Sequence, residues 1–249
     1  MASKFDQFRA LHVPGDPLIL FNVWDAGTAA AAAKAGARAV ATGSASVAAA
    51  NGFGDGEEVP MDFALANAER IVGAVELPVT VDFEGGYAED DGKLAENFAL
   101  LAATGAIGCN FEDQVVGGDG LWSVPDQCAR IKAARRGAGE AFFINARTDI
   151  FLQAKSDAHD SAAADAAIER VIAYADAGAS GYFIPGLANL ELVERIAKAS
   201  PIPVNAMWLP GGPTNAQCAA AGIARISHGP FPQMALMKTF EEMAREALA

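Results

Sequence analysis

The feature that most constrains this chain is an alternation: short runs of Val, Ile, Phe and Leu are each followed by an Ala-rich stretch of helical period. The runs are "LILFNVW" (18–24), "AVATGS" (39–44), "PVTVDFE" (78–84), "IGCNFED" (107–113), "AFFINARTD" (141–149), "SGYFIPG" (180–186), "PVNAMW" (203–208) and "ARISHG" (224–229). Between them lie helical patterns such as "KLAENFALLAATGA", "AAADAAIERVIAYADAGA" and "NLELVERIAKAS". An "AGA" or "GA" before strands (35–37, 105–106, 178–179) fits a helix C-terminal Gly and a tight turn. Strands separated by helices pair in parallel. Eight of them predict a closed (β/α)8 TIM barrel, in preference to an open doubly wound sheet. No linker or shift in composition marks a second domain. We therefore expect one barrel over residues 1–249, with a short N-terminal helix at about 3–12 and a C-terminal helix at about 231–248.

Charge narrows the partners. The formal net charge is −13, which argues against nucleic acid and against an anionic membrane surface, both of which require clustered Lys and Arg. A small carboxylate substrate remains compatible, because a metal or an Arg can reverse the sign inside a pocket. No apolar run reaches the ~18 residues of a membrane span, and "MASKFDQFRALH" lacks the apolar core of a signal peptide. The three cysteines, Cys109, Cys128 and Cys218, show no metal-ligand spacing and read as free thiols. A cytoplasmic protein is expected.

Two apolar runs end in acid, "VDFE" and "NFED". In such a barrel the catalytic groups lie at the C-terminal strand ends. Strand alternation sends Asp82 and Glu84 the same way, and sets Asn110 and Glu112 on the opposite face from Cys109, Phe111 and Asp113. If Asp82, Glu84 and Glu112 share the mouth, they repel one another unless a cation lies among them. Mg²⁺, which accepts one or two carboxylates plus waters, satisfies that need. Helix caps or ion pairs are the competing account. Arg147, inside the apolar run of strand five, is costly to bury unless it pairs with Glu112 or Asp149 or binds an anion; the two roles are compatible.

With those pieces assembled, the chain resembles the isocitrate lyase/phosphoenolpyruvate mutase superfamily, through "FNVWDAGTA", "ATGSAS", "VDFEGGYA", "NFEDQ" and "INARTD". The resemblance implies a (β/α)8 barrel, Mg²⁺ or Mn²⁺, and cleavage or formation of a C–C or P–C bond beside a 2-oxo acid through a metal-stabilised, enolate-like species. It implies Asp82 as direct metal ligand, with Glu84, Glu112 and Asp55 in the shell of metal-bound waters. Gly43, Ser44 and Ala45 match the segment that binds the substrate carboxylate and the enolate oxygen, and Arg147 matches the arginine for its anionic group. Arg147, Ser44 and Glu112 are the catalytic candidates. Trp24 is a further substrate-binding candidate, or packing alone. Homodimers or homotetramers with an exchanged last helix are also implied, and "PFPQMALMKTFEEMAREALA" carries an apolar stripe of Met234, Met237, Phe240, Met243 and Leu248.

The loop after Glu112 departs from the family. Its lyases carry Lys-Arg-Cys-Gly-His there, and its mutases and phosphonopyruvate hydrolases a Lys and an Asn. This chain has "QVVGGDGLWS", a lid or a plain turn, with Asp119 its only titratable group. Isocitrate or methylisocitrate lyase activity is therefore not expected. "LPGGPT" after strand seven reads as a turn or an anion-binding loop, and His228 as a structural residue or an acid–base group. None of the seven lysines sits at a strand end as a Schiff-base enzyme requires. The expected function is metal-dependent C–C lyase or decarboxylase chemistry on an oxaloacetate-like acid. P–C chemistry on phosphonopyruvate, and binding of metal and 2-oxo acid without turnover, are the alternatives.

Overall fold

Each of the eight apolar runs forms a strand, and each strand is shorter than the run that encodes it. They are β1 (Leu18–Leu20), β2 (Val40–Ala41), β3 (Val79–Asp82), β4 (Gly108–Glu112), β5 (Phe143–Arg147), β6 (Gly181–Ile184), β7 (Val204–Met207) and β8 (Arg225–Ser227) in a computed structural model that describes residues 2–249. All pair in parallel, in the order β1-β8-β7-β6-β5-β4-β3-β2. The remaining seam, between β1 and β2, is held just beyond β1 by a parallel bridge between Val23 and Thr42, where Val23 N–H donates to the Ala41 carbonyl at 2.9 Å. The expected (β/α)8 barrel is the observed fold. Among the described residues no helix is long and apolar enough to cross a membrane.

The main apolar core lies between strands and helices. Cys109 and Phe111 point outward into it, beside Leu94, Phe98 and Leu101 of α5 (Asp91–Ala103) and Ile131 of α6 (Val124–Ala138), as alternation along β4 requires. Inside, the N-terminal end of the barrel is filled by Leu18, Leu20, Ala39, Ala41 and Phe143, and capped by Phe8 of α1 (Lys4–Ala10). Above that layer the interior becomes polar. Asn110 Oδ1 accepts from Asn145 Nδ2 at 2.9 Å and from Arg225 Nη2 at 3.1 Å, while Asn205 Nδ2 donates to Ser227 Oγ at 3.2 Å. Apolar residues thus close one end of the barrel, and polar groups lead towards the other.

His12 belongs to the closed end. Its ring stacks on Phe143 at 4.4 Å, Nδ1 lies 2.8 Å from the Phe8 carbonyl, and buried Nε2 has no partner. Burial, then the Arg225 charge, lowers its pKa from 6.5 to about 3. Protonation therefore opposes folding. The contribution of His12 is intact above about pH 6.5 and is lost as pH falls towards about 3. Replacement by a side chain that cannot titrate, His12→Asn, is expected to flatten this acid limb. The difference in unfolding free energy between the two proteins should change by up to about 1.4 kcal/mol per pH unit across that window. Parallel curves in urea titrations at successive pH values would show that His12 is not the acid-sensitive group.

Candidate active site

The open end of the barrel holds a cavity of about 180 Å³. Gly43, Ser44 and Ala45 line one side, with Asp55, Asp82, Asn110 and Arg147 beside them; Leu152, Phe183, Pro185, Met207 and Pro230 also border it. Gly43, the N-cap of α3 (Ser44–Asn51), has no side chain to cap the helix, and the Ser44 N–H is taken by Asp82 Oδ2 at 3.1 Å. The strand-to-helix turn at Gly43–Ala45 lines the cavity, and a helix start of this kind favours an anion.

Asp82, the last residue of β3, is the centre of the polar half. Its Oδ2 accepts from Ser44 N at 3.1 Å and Ser44 Oγ at 3.2 Å, and its Oδ1 from Asn110 Nδ2 at 3.3 Å. Asn110 in turn accepts from Arg225, so a buried cation lies two hydrogen bonds beneath Asp82. Burial pushes the Arg225 pKa down to about 9 despite Asp82, and its Nη1 has no partner. Asp55 sits at the rim, partly open to solvent. The protein around it, then Asp82, raise its carboxyl above the ordinary range, while a hydrogen bond with Ser44 works the other way.

Glu84 reaches the site by a route other than strand alternation. The strand ends at Asp82, and Glu84 takes a left-handed backbone conformation (φ 50°). Its carboxylate accepts from Glu57 N at 2.7 Å, and Glu57 Oε1 accepts from Tyr87 N at 2.8 Å. Glu57 and Tyr87 are the other two non-glycine residues with positive φ among those described. Among the described residues, the three non-glycine positions with positive φ are thus joined to one another around the Glu84 carboxylate, beside Asp82, where strain commonly serves function. The turn depends on Gly86, where a Cβ would meet Leu94 Cδ1 at 2.5 Å. Burial, followed by Asp82, Asp55 and Glu57, pushes the Glu84 carboxyl up to about 7.

Arg147 ends β5 and plays the scaffold role. Its Nη1 lies 2.9 Å from Glu112 Oε2, its Nε 2.5 Å from Asp149 Oδ1 and its Nη2 2.8 Å from Asp149 Oδ2. Burial alone would lower its pKa, but Glu112, Asp149 and Asp82 outweigh it, and the guanidinium stays charged. Glu112 shares this one cation with Asp149. Burial and the neighbouring acids raise the Glu112 carboxyl against the pull of Arg147. Arg147 also borders the cavity, so a role towards an anion is compatible with the ion pairs.

The expectation for Trp24 needs correction, and that for the acids is narrowed. Among the described residues no three acidic, Cys or His side chains gather closely enough to ligate one ion directly, so Asp82, Glu84 and Glu112 form no ready-made cluster. Glu112 is turned to Arg147 and Glu84 to the Glu57 backbone. Trp24 does not line the mouth. It borders a separate groove between α2 (Ala26–Lys34) and the last helix, because β1 ends at Leu20 and alternation no longer sets its direction. A divalent cation still fits the donor set. Asp82 borders both the main cavity, with Asp55, and a second one of about 20 Å³, where Ser44, Glu84 and Tyr87 face the apolar Val47, Val59, Ala68 and Val81. Asp82 as ligand, with Glu84 and Asp55 acting through waters, is how Mg²⁺ is commonly held.

The segment after Glu112 is a fastened hairpin. Gln114 bridges Leu121, Trp122 N donates to Asp113 O at 2.8 Å, and Gly118 N to Val115 O at 3.0 Å. Arg170 of α8 (Ser161–Asp176) pins its base, reaching Asp113 Oδ2 at 3.0 Å and the Trp122 carbonyl at 3.1 Å. Asp119 is exposed at the tip and does not line the cavity. "LPGGPT" is a turn into α10 (Asn215–Ala220), whose N-terminus Thr214 caps. His228 stacks on Trp208 at 5.4 Å outside the cavity lining, and burial lowers its pKa.

The sequence profile described as phosphoenolpyruvate phosphomutase matches residues 8–248. The chain belongs to this family. A putative phosphonomutase from Burkholderia cenocepacia J2315 is 49% identical, with a TM-score of 0.95 and 98% of each chain covered. The 2-methylisocitrate lyase of Salmonella typhimurium (strain LT2) is 29% identical over 153 residues, 58% of this chain and 49% of that protein. A phosphonopyruvate hydrolase solved with oxalate and Mg²⁺ shares the fold at 21% identity, with a TM-score of 0.85 over 98% of this chain and 87% of that one. The matches bear out the resemblance to the phosphoenolpyruvate mutase/isocitrate lyase superfamily, whose members are lyases and mutases.

Glu57, Tyr87, Asn110, Leu152, Phe183, Met207 and Arg225 are among the residues at or beside the site that the sequence did not single out. Asn110 alone had a usable signal, since it shares the inward face of β4 with Glu112.

Proposed function

We propose that this member of the phosphoenolpyruvate phosphomutase family is a Mg²⁺- or Mn²⁺-dependent enzyme that cleaves a C–C bond in a small 2-oxo or 2-hydroxy acid, decarboxylation included. The supporting observation is the charge of the mouth: Glu112, Asp149 and Asp82 act on one cation, Arg147, which is already forked between the first two, while Asp55 and Glu84 add further negative charge beside Asp82. A bound divalent cation supplies Lewis-acid polarisation of the 2-oxo group. Ser44 and the start of α3 hold the carboxylate, and Arg147 takes the remaining anionic group. For a 2-oxo acid, as the bond from C3 to the departing carboxylate breaks, its electron pair forms the C2–C3 double bond and the carbonyl π pair moves onto the C2 oxygen. In decarboxylation CO₂ leaves, and C3 takes its proton from water. Among the described residues no Lys, Cys or His lines the cavity to protonate a bulkier departing acid. The metal in the phosphonopyruvate hydrolase neighbour supports the cofactor assignment.

The likeness to the Burkholderia phosphonomutase favours a second reading, P–C chemistry on phosphonopyruvate. A phosphonate dianion beside these acids lacks the extra cation it would need, which places this reading second. Oxaloacetate, phosphonopyruvate and methylisocitrate, each assayed with Mg²⁺ and again with EDTA, separate the readings. EDTA-sensitive turnover of oxaloacetate is expected. Phosphate release from phosphonopyruvate would favour the second reading, and stabilisation by metal without any turnover would indicate a binding protein. Activity indifferent to EDTA would remove the metal from the account.

We also propose self-association through α11 (Phe231–Leu248). Only Pro232 and Gln233 of this helix are buried, and Met234, Met237, Phe240 and Met243 are exposed. At its base, Pro232, Ala235 and Leu236 form an apolar groove with Phe21, Trp24 and Ala31. A second copy offers the same helix to the same groove about a two-fold axis, so both stripes are covered at once. Sedimentation is expected to show a dimer or larger, and Phe240→Glu to shift it to monomer. A monomeric parent protein would contradict the proposal.

A further inference from the structure

Asp55 reaches the cavity from the loop between α3 and α4 (Met61–Ala74), and its own backbone does little to hold it there. It stands between Gly54 and Gly56, and residues 53–55 are exposed. Among the described residues no backbone–backbone hydrogen bond joins 54–58 to the rest of the chain; the local ties are the Asp55 contact with Ser44 and a 2.9 Å bond from Gly54 N to Glu58 Oε2. The 84–87 turn, by contrast, is held from several sides. Glu84 O accepts from Glu112 N at 3.0 Å, and Asn97 Nδ2 donates to the Gly86 and Tyr87 carbonyls at 2.9 and 3.2 Å. Buried Arg130 donates to Gly85 O at 2.6 Å and to Ala88 O at 3.0 Å.

Glu57 joins the loose segment to the firm one. Its main chain donates to Glu84 Oε2 and its carboxylate accepts from Tyr87 N, so one residue grips the turn with both arms. It does so at φ 62°, a conformation that Gly or Asn adopts at less cost. On charge alone an acid is a poor choice here, since Glu57 adds to the negative field on Glu84. What this side chain supplies is reach and an acceptor oxygen. We propose that Glu57 is a positioning residue that locks the Asp55 loop to the Glu84 turn, so that both carboxylates face a divalent cation at Asp82 as one preformed shell. Glu57 does not line the main cavity and acts through its neighbours. The inference rests on the proposed metal-assisted function and deepens it.

Glu57→Asn and Glu57→Gln test it, because both are neutral and they differ by one methylene. Asparagine suits the left-handed backbone but falls short of Tyr87 N–H, whereas the glutamine amide oxygen reaches it. The readouts are Mg²⁺ affinity by calorimetry and exchange of the amide hydrogen of residue 57 in the presence of EDTA. Glu57→Asn is expected to weaken Mg²⁺ binding about tenfold or more and to speed the exchange, at an unchanged urea midpoint. Glu57→Gln should stay close to the parent in both. If Glu57→Gln weakens binding as much as Glu57→Asn, charge and not placement is what Glu57 contributes, and the proposal is overturned. It is overturned equally if Glu57→Asn binds Mg²⁺ as the parent does, or loses affinity with the exchange unchanged; in these three cases the metal-assisted function stands. An unfolded Glu57→Asn protein would make Glu57 part of the scaffold and also overturn it. If the parent itself binds no Mg²⁺, the functional reading falls and the proposal falls with it.

Discussion

Asp82→Ala is expected to abolish metal-dependent turnover, by about 10³-fold or more, while the barrel stays folded. A Lewis acid contributes several kcal/mol at the transition state, and each ~1.4 kcal/mol is a factor of ten. The fold should survive because Asp82 is the last residue of β3 and is only half-buried; its partners, Ser44 and Asn110, also line the cavity. Calorimetric titration with Mg²⁺ should lose its binding signal, with the circular dichroism spectrum and the urea midpoint nearly unchanged. Asp82→Asn should fall between the two, since an amide oxygen can accept from Ser44 but carries no charge for the metal. An unfolded Asp82→Ala protein would instead make this carboxylate part of the scaffold.

Arg147→Met should act on stability first. It leaves Glu112 and Asp149, both buried, without their common cation, a change that typically costs about 3–5 kcal/mol. The urea midpoint should drop at an unchanged slope. The loss also has a direction with pH. Burial already raises Glu112, and without Arg147 nothing of opposite charge restrains it. A carboxyl raised in the folded state is tolerated while protonated, and its ionisation weakens the fold as pH rises. The gap between parent and variant should therefore be wider at pH 8 than at pH 5. Arg147→Lys keeps the charge but loses the fork, and should recover only part of the stability. A gap that narrows with rising pH would show that the ion pairs are not what Arg147 contributes.

The barrel was legible because strands in a parallel sheet are buried on both faces and read as continuous apolar runs. Asp82 and Glu112 were legible for a related reason: acid at the end of such a run is costly without a purpose. Beyond the strand ends that reasoning stops. Strand alternation was expected to direct Glu84, but the strand ends at Asp82 and the direction of Glu84 comes from a left-handed turn. Trp24 was misplaced because the strand ended four residues before it. Arg225 left no trace in "ARISHG": an arginine inside a barrel looks like one on a surface until its neighbours are known. Phe183 and Met207 likewise read as core, and only the assembled mouth shows which ends of apolar strands face a ligand.

The hairpin held by Arg170 has an isotopic consequence. Its base is pinned and none of its side chains lines the cavity. The hydron that replaces a departing group on C3 then comes from solvent, and product formed in D₂O should carry deuterium at that carbon.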